Sequence, residues 1–432
     1  MLDKIKTHAA SLKTKVASSK QNTGQHIVAL DIGTENVKAI TARLTNDGLE
    51  IIGSGRAHQN LSDMQAGAIS DIAGVVANCD KALTEAEQQA GVSARSAIIG
   101  IAGELVKGTT ISVRARRKDA DKEIDVDEVE RIVAAVQERA QEKAKATLAW
   151  ELGGKEVEIR LVNSALVRIE IDGYPVTNPV GFKGKEVMVQ LYTAFAPMIH
   201  IGALERTAKE LDLELLAVAA EPFAVARSVV GDDASASMSA ILMDVGGGTT
   251  DIAVINDGGV QGTKMFGIGG RAFTKAIERD LGVSFSQAEE LKIGLSTNKT
   301  PQAKVPDIED SLKNTLEVWI SGVDLALGEF TQLDNLPNRI LLCGGGSSLD
   351  LLVKELEETD WYRELPFTRR PTVQHIQPEQ VVGIVDKTGD VADHTFITAM
   401  GLLRVGLDTL AGQDPANSSG SVRQRMDRIL RV

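Results

Sequence analysis

Aromatic residues make up only 3% of this 432-residue chain, too few for the stacking platforms that hold single-stranded nucleic acid. It also lacks any apolar run approaching the ~18–20 residues of a membrane-spanning helix, so nothing in it is expected to cross a bilayer. Met1 to Lys20 carries charge throughout, without an apolar stretch leading to a small-residue cleavage site, and does not read as a secretory signal. Cysteine is scarce: Cys79 and Cys343 lie far apart with no metal-ligand spacing, which fits a reduced cytoplasm.

What is present fits a globular protein. Hydrophobic residues are 43% and charged residues 25% of the chain, enough for a sizeable core divided among two to four domains. The net charge of −13 disfavours generic binding to a phosphate backbone, so no nucleic-acid partner is expected. Charge is unevenly spread. Residues 1–20 carry +4 and residues 422–432 carry +3, which leaves −20 for the body between them. An acidic globule with two basic ends suggests that the ends meet an anionic surface.

The pattern along the chain is α/β. His26-Ile-Val-Ala-Leu30 reads as a buried strand, Asp31-Ile-Gly-Thr34 turns it, and Val37–Thr41 returns. Helical spacing runs from Asp71 to Ala90 and stops at Gly91, and Ala97–Ile101 is another buried strand. Asp125 to Lys145 is a charged helix with Val126, Val129, Ile132, Val133 and Val136 on one face. Strands are expected at 156–161, 166–171 and 186–194, then a helix at 199–211 and a strand ending near Glu221-Pro222. Ala240–Val245 runs into Gly246-Gly-Gly-Thr-Thr250 and Asp251–Ile255, repeating the strand–turn–strand pattern of residues 26–41. Arg339–Cys343 runs into Gly344-Gly-Gly-Ser-Ser348 and a helix. Apolar strands alternating with helices predict α/β layers, and the repeated unit hints at an internal duplication.

A buried strand that delivers Asp into a Gly-rich turn sets a carboxylate beside a nest of backbone N–H groups. Such a nest wraps phosphate oxygens, and the carboxylate can hold a hydrated Mg²⁺. One Asp-Gly hairpin alone is as readily a plain β-turn with an Asx bond. Two of them, with a third Gly-rich turn at 344–346, point to a nucleotide tail clamped from both sides.

These residues resemble the actin/Hsp70/sugar-kinase superfamily of ATPases. The resemblance implies ATP and Mg²⁺ as cofactors. Asp31, Gly33 and Thr34 match its first phosphate hairpin, and Gly246, Gly247, Gly248, Thr249 and Thr250, between Asp244 and Asp251, match its second. Asp31 and Asp244 would hold the metal. Gly344, Gly345, Gly346 and Ser347 match its adenosine motif, and Thr398-Ala-Met-Gly401 its close-packed connecting helix. Glu289 and Lys292, about one helical turn apart, match the pair that contacts ribose and base in bacterial actins; by themselves they also fit a surface ion pair. Glu221 sits where those proteins place a water-polarising Glu, although a solvated Glu before a helix-starting Pro would look the same. At most slow ATP hydrolysis is expected.

Within the superfamily the chain resembles the FtsA family over roughly residues 25–410, through Ile51-Ile-Gly-Ser-Gly55, Gly67-Ala-Ile-Ser-Asp-Ile72 and Asn178-Pro-Val-Gly-Phe-Lys-Gly184. The implied architecture is a two-lobed actin/Hsp70-like fold with a duplicated RNase H-like core and an inserted FtsA-type subdomain 1C. Subdomain 1A would take 25–97 and 191–238, 1C would take 98–190, 2A 239–281 and 339–410, and 2B 282–338. A basic extension (1–24), a linker (411–421) and a C-terminal amphipathic helix (422–432) complete the division.

On a helical wheel Val422, Met426, Ile429 and Leu430 share a face, with Arg423 and Arg425 at its borders and Arg428 and Arg431 opposite. Basic amphipathic helices of this kind lie in the headgroup plane of anionic membranes; packing on the body or a frayed end is the plainer alternative. The resemblance implies a peripheral protein on the inner membrane face that forms head-to-tail homopolymers and tethers filaments of the tubulin-like FtsZ. The basic N-terminal extension is not usual for FtsA. The pilus-assembly family PilM shares the ATPase motifs and a segment similar to Gly282–Lys292, and would imply binding to a peptide of a membrane protein. A soluble sugar kinase is a third reading, though no sugar pocket or base for it can be identified.

Overall fold

The computed structural model describes residues 25–230, 238–297 and 299–413. The apolar run at the start of this span forms β1 (His26–Ile32), in which every residue after His26 is buried. A three-residue turn returns it as β2 (Asn36–Thr45), and β3 (Gly48–His58) completes an antiparallel meander. One side of β3 is covered by α1 (Ile72–Ala90). That helix starts where Asp71 accepts from the Ala73 and Gly74 amides and stops at Gly91 in the left-handed region. β4 (Ser96–Ile101) lies parallel to β1.

An inserted unit follows: β5 (Lys107–Arg116), α2 (Val126–Glu151), β6 (Ile159–Ile171) and β7 (Glu186–Pro197), with β7 between the other two strands. The valine and isoleucine stripe of α2 packs on this sheet as a core of its own. After α3 (Met198–Glu210), β8 (Glu214–Ala220) pairs in parallel with β4, and α4 (Glu221–Val230) leaves the sheet.

The second lobe repeats the scheme. β9 (Ala240–Val245), β10 (Thr250–Asn256) and β11 (Gly259–Phe266) form the meander, and helices α5 (Gly270–Leu281), α6 (Phe285–Ser296) and α7 (Val305–Gly328) follow. Then come β12 (Arg339–Cys343), α8 (Asp350–Glu358), β13 (Thr372–His375), β14 (Ile384–Asp386) and α9 (Ile397–Gln413). The first sheet runs β8-β4-β1-β2-β3, closed by β14, and the second runs β13-β12-β9-β10-β11. Both place two parallel neighbours beside the first strand of an antiparallel meander, so the duplication hinted at by the two Asp-Gly units is real in topology. One core runs from the first lobe into the second sheet, reaching Ala240, Leu242, Ala253 and Ile255, and a second core takes the alternate residues Ile241, Met243, Ile252 and Val254 with Trp319 of α7, which is fully buried.

The lobes meet where α9 crosses α4 at close range. A β-carbon at Gly401 would lie 2.4 Å from the Ala224 carbonyl oxygen, so only glycine allows this approach. The inserted sheet also joins the second lobe, because β5 pairs with β11 through Gly262–Thr109 and Thr263–Gly108.

Some expectations differ from this structure. The two strands expected at 156–161 and 166–171 form one strand, because register shifts against β7 at Gln190/Leu191 and Ala194/Phe195 absorb the polar break. Asn163 in that break is used: its side-chain Oδ1 accepts the Ala220 amide at 2.8 Å. The edges expected at 98 and 190 fall inside β4 and β7. α9 continues through Gln413, into the stretch expected as a linker from 411. The extension 1–24, the rest of the linker and the helix 422–432, with Val422, Arg423, Met426, Ile429, Leu430 and Arg431, lie outside the described residues. Among the described residues no helix is long and apolar enough to cross a membrane.

Candidate functional site

Each lobe's first strand carries an aspartate one residue before its end, and the two face one cleft of about 320 Å³. Asp31 in β1 and Asp244 in β9 are both buried with their strands. Gly33 and Thr34 from the first hairpin line this cleft, as do Gly246, Gly247, Thr249 and Asp251 from the second. Gly344, Gly345 and Gly346 form another wall, and Glu289 and Lys292 line it from α6. Glu221, the first residue of α4, lines the floor.

Three expected residues do not line the cleft. Thr250 turns its hydroxyl into the second lobe, donating to the Ile268 carbonyl at 2.7 Å and accepting from Trp319 Nε1 at 2.9 Å. Ser347 is buried and donates to the Gly344 carbonyl at 2.7 Å. Gly248 abuts Thr34 of the opposite hairpin. These three shape the turns rather than face the hollow.

The floor is a cluster of acids around one buried amine. Lys38 Nζ donates to Asp31 at 2.9 Å, and its side chain is 11% exposed. Burial opposes the lysine charge, but Asp31, with Asp244 behind it, outweighs that and holds the amine above its ordinary pKa. Asp244 and Asp251 are cross-strand partners in the second hairpin. Burial raises the pKa of both; Thr398, which donates to Asp244, and Lys38 partly offset this for Asp244, while Asp244 itself adds to the rise of Asp251. Glu221 is 7% exposed, so it is not the solvated residue that Glu-before-Pro by itself suggests. Burial first, then Asp31, Asp251 and Asp244, push its carboxyl well above the usual range. Acids held so far from their ordinary titration are characteristic of functional sites.

Gly344 shows how tightly the third turn approaches. It adopts φ +81°, and a β-carbon there would sit 2.0 Å from Asp244 Oδ1. Behind it the His394 carbonyl accepts the Gly344 amide at 3.2 Å. The imidazole of His394 meets Ser348 Oγ at 2.9 Å, and burial lowers its pKa to about 4.

Glu289 and Lys292 owe their placement to the start of α6, where Ser284 and Gln287 form a reciprocal capping box. They are not a surface pair. Lys292 Nζ bonds Glu289 at 2.8 Å, the Gly270 carbonyl at 3.0 Å and Thr274 Oγ1 at 2.8 Å, while Thr274 donates to Glu289.

Sequence reasoning named Lys292 but missed the other cleft cations, Lys38, Arg56 and Arg271. Lys38 was legible in principle, since pairing Ile32 with Val37 across the turn sets residue 31 opposite residue 38. Arg271, in the first turn of α5, reaches across to the other lobe and donates to Glu35 Oε2 and the Thr34 carbonyl, both at 2.6 Å. No local pattern could have announced that contact. Arg56 on β3 also faces the cleft.

The donor set suits a hard divalent cation held in part by its ligand. Asp251 Oδ1 is buried without a hydrogen-bond partner, and among the described residues no three His, Cys, Asp or Glu side chains converge into a complete metal site. Magnesium ordinarily takes one or two carboxylates and completes its shell with water and phosphate oxygens.

Fold and cleft together define a two-lobed, actin-like fold. A solved PilM–PilN type IV pilus biogenesis complex contains a chain with this fold, at TM-score 0.64 and 16% identity, covering 89% of this chain and 99% of that one. In sequence the likeness is to FtsA. The profile of the family "Cell division protein FtsA" matches residues 241–401. The cell division protein FtsA of Pseudomonas aeruginosa is 27% identical over 423 residues, 92% of this chain and 93% of that protein. FtsA of Bacillus subtilis is 28% identical over 274 residues, 63% of this chain and 58% of that protein. The resemblance to FtsA, within the FtsA/PilM group of the actin-like ATPase superfamily, thus extends over most of the sequence.

Proposed function

We propose that the chain is an FtsA-like ATP-binding protein of bacterial cell division. It polymerises head to tail and tethers FtsZ filaments to the inner face of the cytoplasmic membrane. The observation that carries this reading is the convergence of Asp31 and Asp244, each one residue before the end of a lobe's first strand, on one cleft walled by Gly344–Gly346. Asp31 and Asp244 would hold Mg²⁺ with the phosphate tail, and the amides of Gly33, Thr34, Gly247 and Thr249 would wrap the phosphate oxygens. The bound ion would supply charge neutralisation at the phosphates. Gly344 and Gly345 would lie beneath the purine, Glu289 and Lys292 would meet ribose and base, and Glu221 would orient water for slow hydrolysis. Residues 107–197 would be the FtsA-type insertion, and 282–338 the unit that grips FtsZ.

The membrane role rests on the sequence of 422–432. Eleven residues are fewer than the ~12–15 that sustain a helix alone in water, so ordering would accompany insertion. Each basic side chain near an anionic surface contributes about 1 kcal/mol, so one tail binds weakly. Polymerisation multiplies such weak contacts. Co-sedimentation tests this directly. The full chain should pellet with anionic liposomes and recruit FtsZ in the presence of ATP, while a variant lacking 422–432 should stay in the supernatant. If pelleting is unchanged after removal of both 1–20 and 422–432, the tether is wrong. Capture of a pilus protein's cytoplasmic peptide in place of FtsZ would favour the PilM-like role.

Arg271 gives a second test. Its contacts with Glu35 and Thr34 bridge the lobes beside the phosphate hairpins, and a charge-assisted bond of this type is worth about 1.5–3 kcal/mol. Arg271→Ala should therefore release a fluorescent ADP about tenfold faster in stopped flow. An unchanged rate would mean that the bridge does not restrain opening.

A further inference from the structure

Among the described residues, six carboxylates and four cations line the cleft. Three of the cations are already neutralised: Lys38 by Asp31 at 2.9 Å, Arg271 by Glu35 at 2.6 Å and Lys292 by Glu289 at 2.8 Å. The fourth is Arg56. Among the described residues no carboxylate lies within salt-bridge distance of its guanidinium, and its backbone amide donates to Glu85 at 2.9 Å. Asp393, the acid whose charge it feels, is occupied in capping the Thr395 amide and hydroxyl.

Strand register fixes where this free cation stands. Asp31 pairs with Lys38 across β1 and β2, and Lys38 pairs with Arg56 across β2 and β3. Directly opposed residues on antiparallel strands share a face. Asp31, Lys38 and Arg56 therefore form one row, from a buried carboxylate through a nearly buried amine to an exposed guanidinium. An excess of carboxylates repels any anion in the cleft, and this row supplies the compensating positive charge on the solvent side. The planar fork of a guanidinium matches a tetrahedral oxyanion through two parallel hydrogen bonds.

We propose that Arg56, backed by Lys38, is a binding site for a phosphate oxyanion at the solvent-facing side of the cleft. The occupant is either the terminal phosphoryl group of a bound triphosphate or free inorganic phosphate on its way out. This assignment rests on the nucleotide reading above. The test titrates inorganic phosphate by calorimetry onto the full chain, alone and saturated with ADP and Mg²⁺, for wild type, Arg56→Gln and Arg56→Lys. A non-hydrolysable triphosphate analogue is titrated in parallel. Phosphate affinity should fall about tenfold or more in Arg56→Gln and recover in part in Arg56→Lys, with ADP affinity unchanged within about twofold. A loss confined to the triphosphate analogue would support the site and make the terminal phosphoryl its occupant. Wild-type affinities for both probes in Arg56→Gln, or no phosphate binding by the wild type together with unaltered triphosphate binding in the variant, would overturn it. Arg56-dependent phosphate binding without any ADP binding would keep the anion site and discard the nucleotide reading. ADP binding with phosphate and triphosphate both indifferent to Arg56 would do the reverse.

Discussion

Replacing Asp244 with alanine is expected to weaken ATP binding by about 100-fold or more, roughly 3 kcal/mol, when titrated by calorimetry in the presence of Mg²⁺. The size follows from the position. Asp244 is buried, fixed by Thr398 and by the hairpin pairing with Asp251, and separated from Gly344 by too little room for any side chain. Losing it removes a metal carboxylate and the neighbour against which the third glycine turn is packed. The fold should survive, because alanine also removes one of several mutually repelling buried acids. A preserved melting temperature with lost affinity separates the site effect from unfolding. Asp244→Asn, which keeps the shape and an acceptor for Thr398, should lose most of the Mg²⁺-dependent part alone. Unaltered affinity in both variants would refute the assignment of this cleft to a nucleotide.

The parts of this molecule that were legible in the sequence are those where one short stretch carries both shape and chemistry. β1 and β9 are apolar strands that run into Asp and Gly, so strand, turn and carboxylate are declared within a few residues. α1 announces both its ends through Asp71 and Gly91. What depends on distant partners was hidden. The union of β5 with β11 joins residues about Thr109 to residues about Gly262, and no local periodicity reports such a pairing. β6 looked broken because Asn163 and Ser164 interrupt its apolar pattern, whereas the structure uses Asn163 as an acceptor and absorbs the irregularity in the register. The cleft cations follow the same division. Lys38 could be reached by counting across a turn, while Arg271 acquires meaning only when a second lobe folds against the first.

Glu221→Gln is expected to act in opposite directions on turnover and on stability. A base that orients water contributes about 10²–10⁴-fold, so single-turnover hydrolysis should fall by roughly that factor while ATP affinity changes by less than about threefold. Only the ionised carboxylate can serve. Burial and the three neighbouring aspartates hold Glu221 protonated well above its usual pH, so the wild-type rate should climb as pH rises through that elevated pKa. In the variant the same profile should be flat over that range. The stability sign follows from linkage. A carboxyl whose pKa is higher folded than unfolded binds more protons in the native state, so its contribution to stability is lost as pH rises from the ordinary carboxylate value through the elevated one. Glutamine carries no such charge. The nucleotide-free variant should thus melt higher than wild type at alkaline pH, by roughly 1–4 °C, and the gap should close on acidification toward pH ~5. A variant that melts lower at every pH would show that Glu221 holds the fold rather than strains it. Undiminished hydrolysis would leave the water-orienting role to another residue of the floor, with Asp251 the next candidate because its buried Oδ1 lacks a partner.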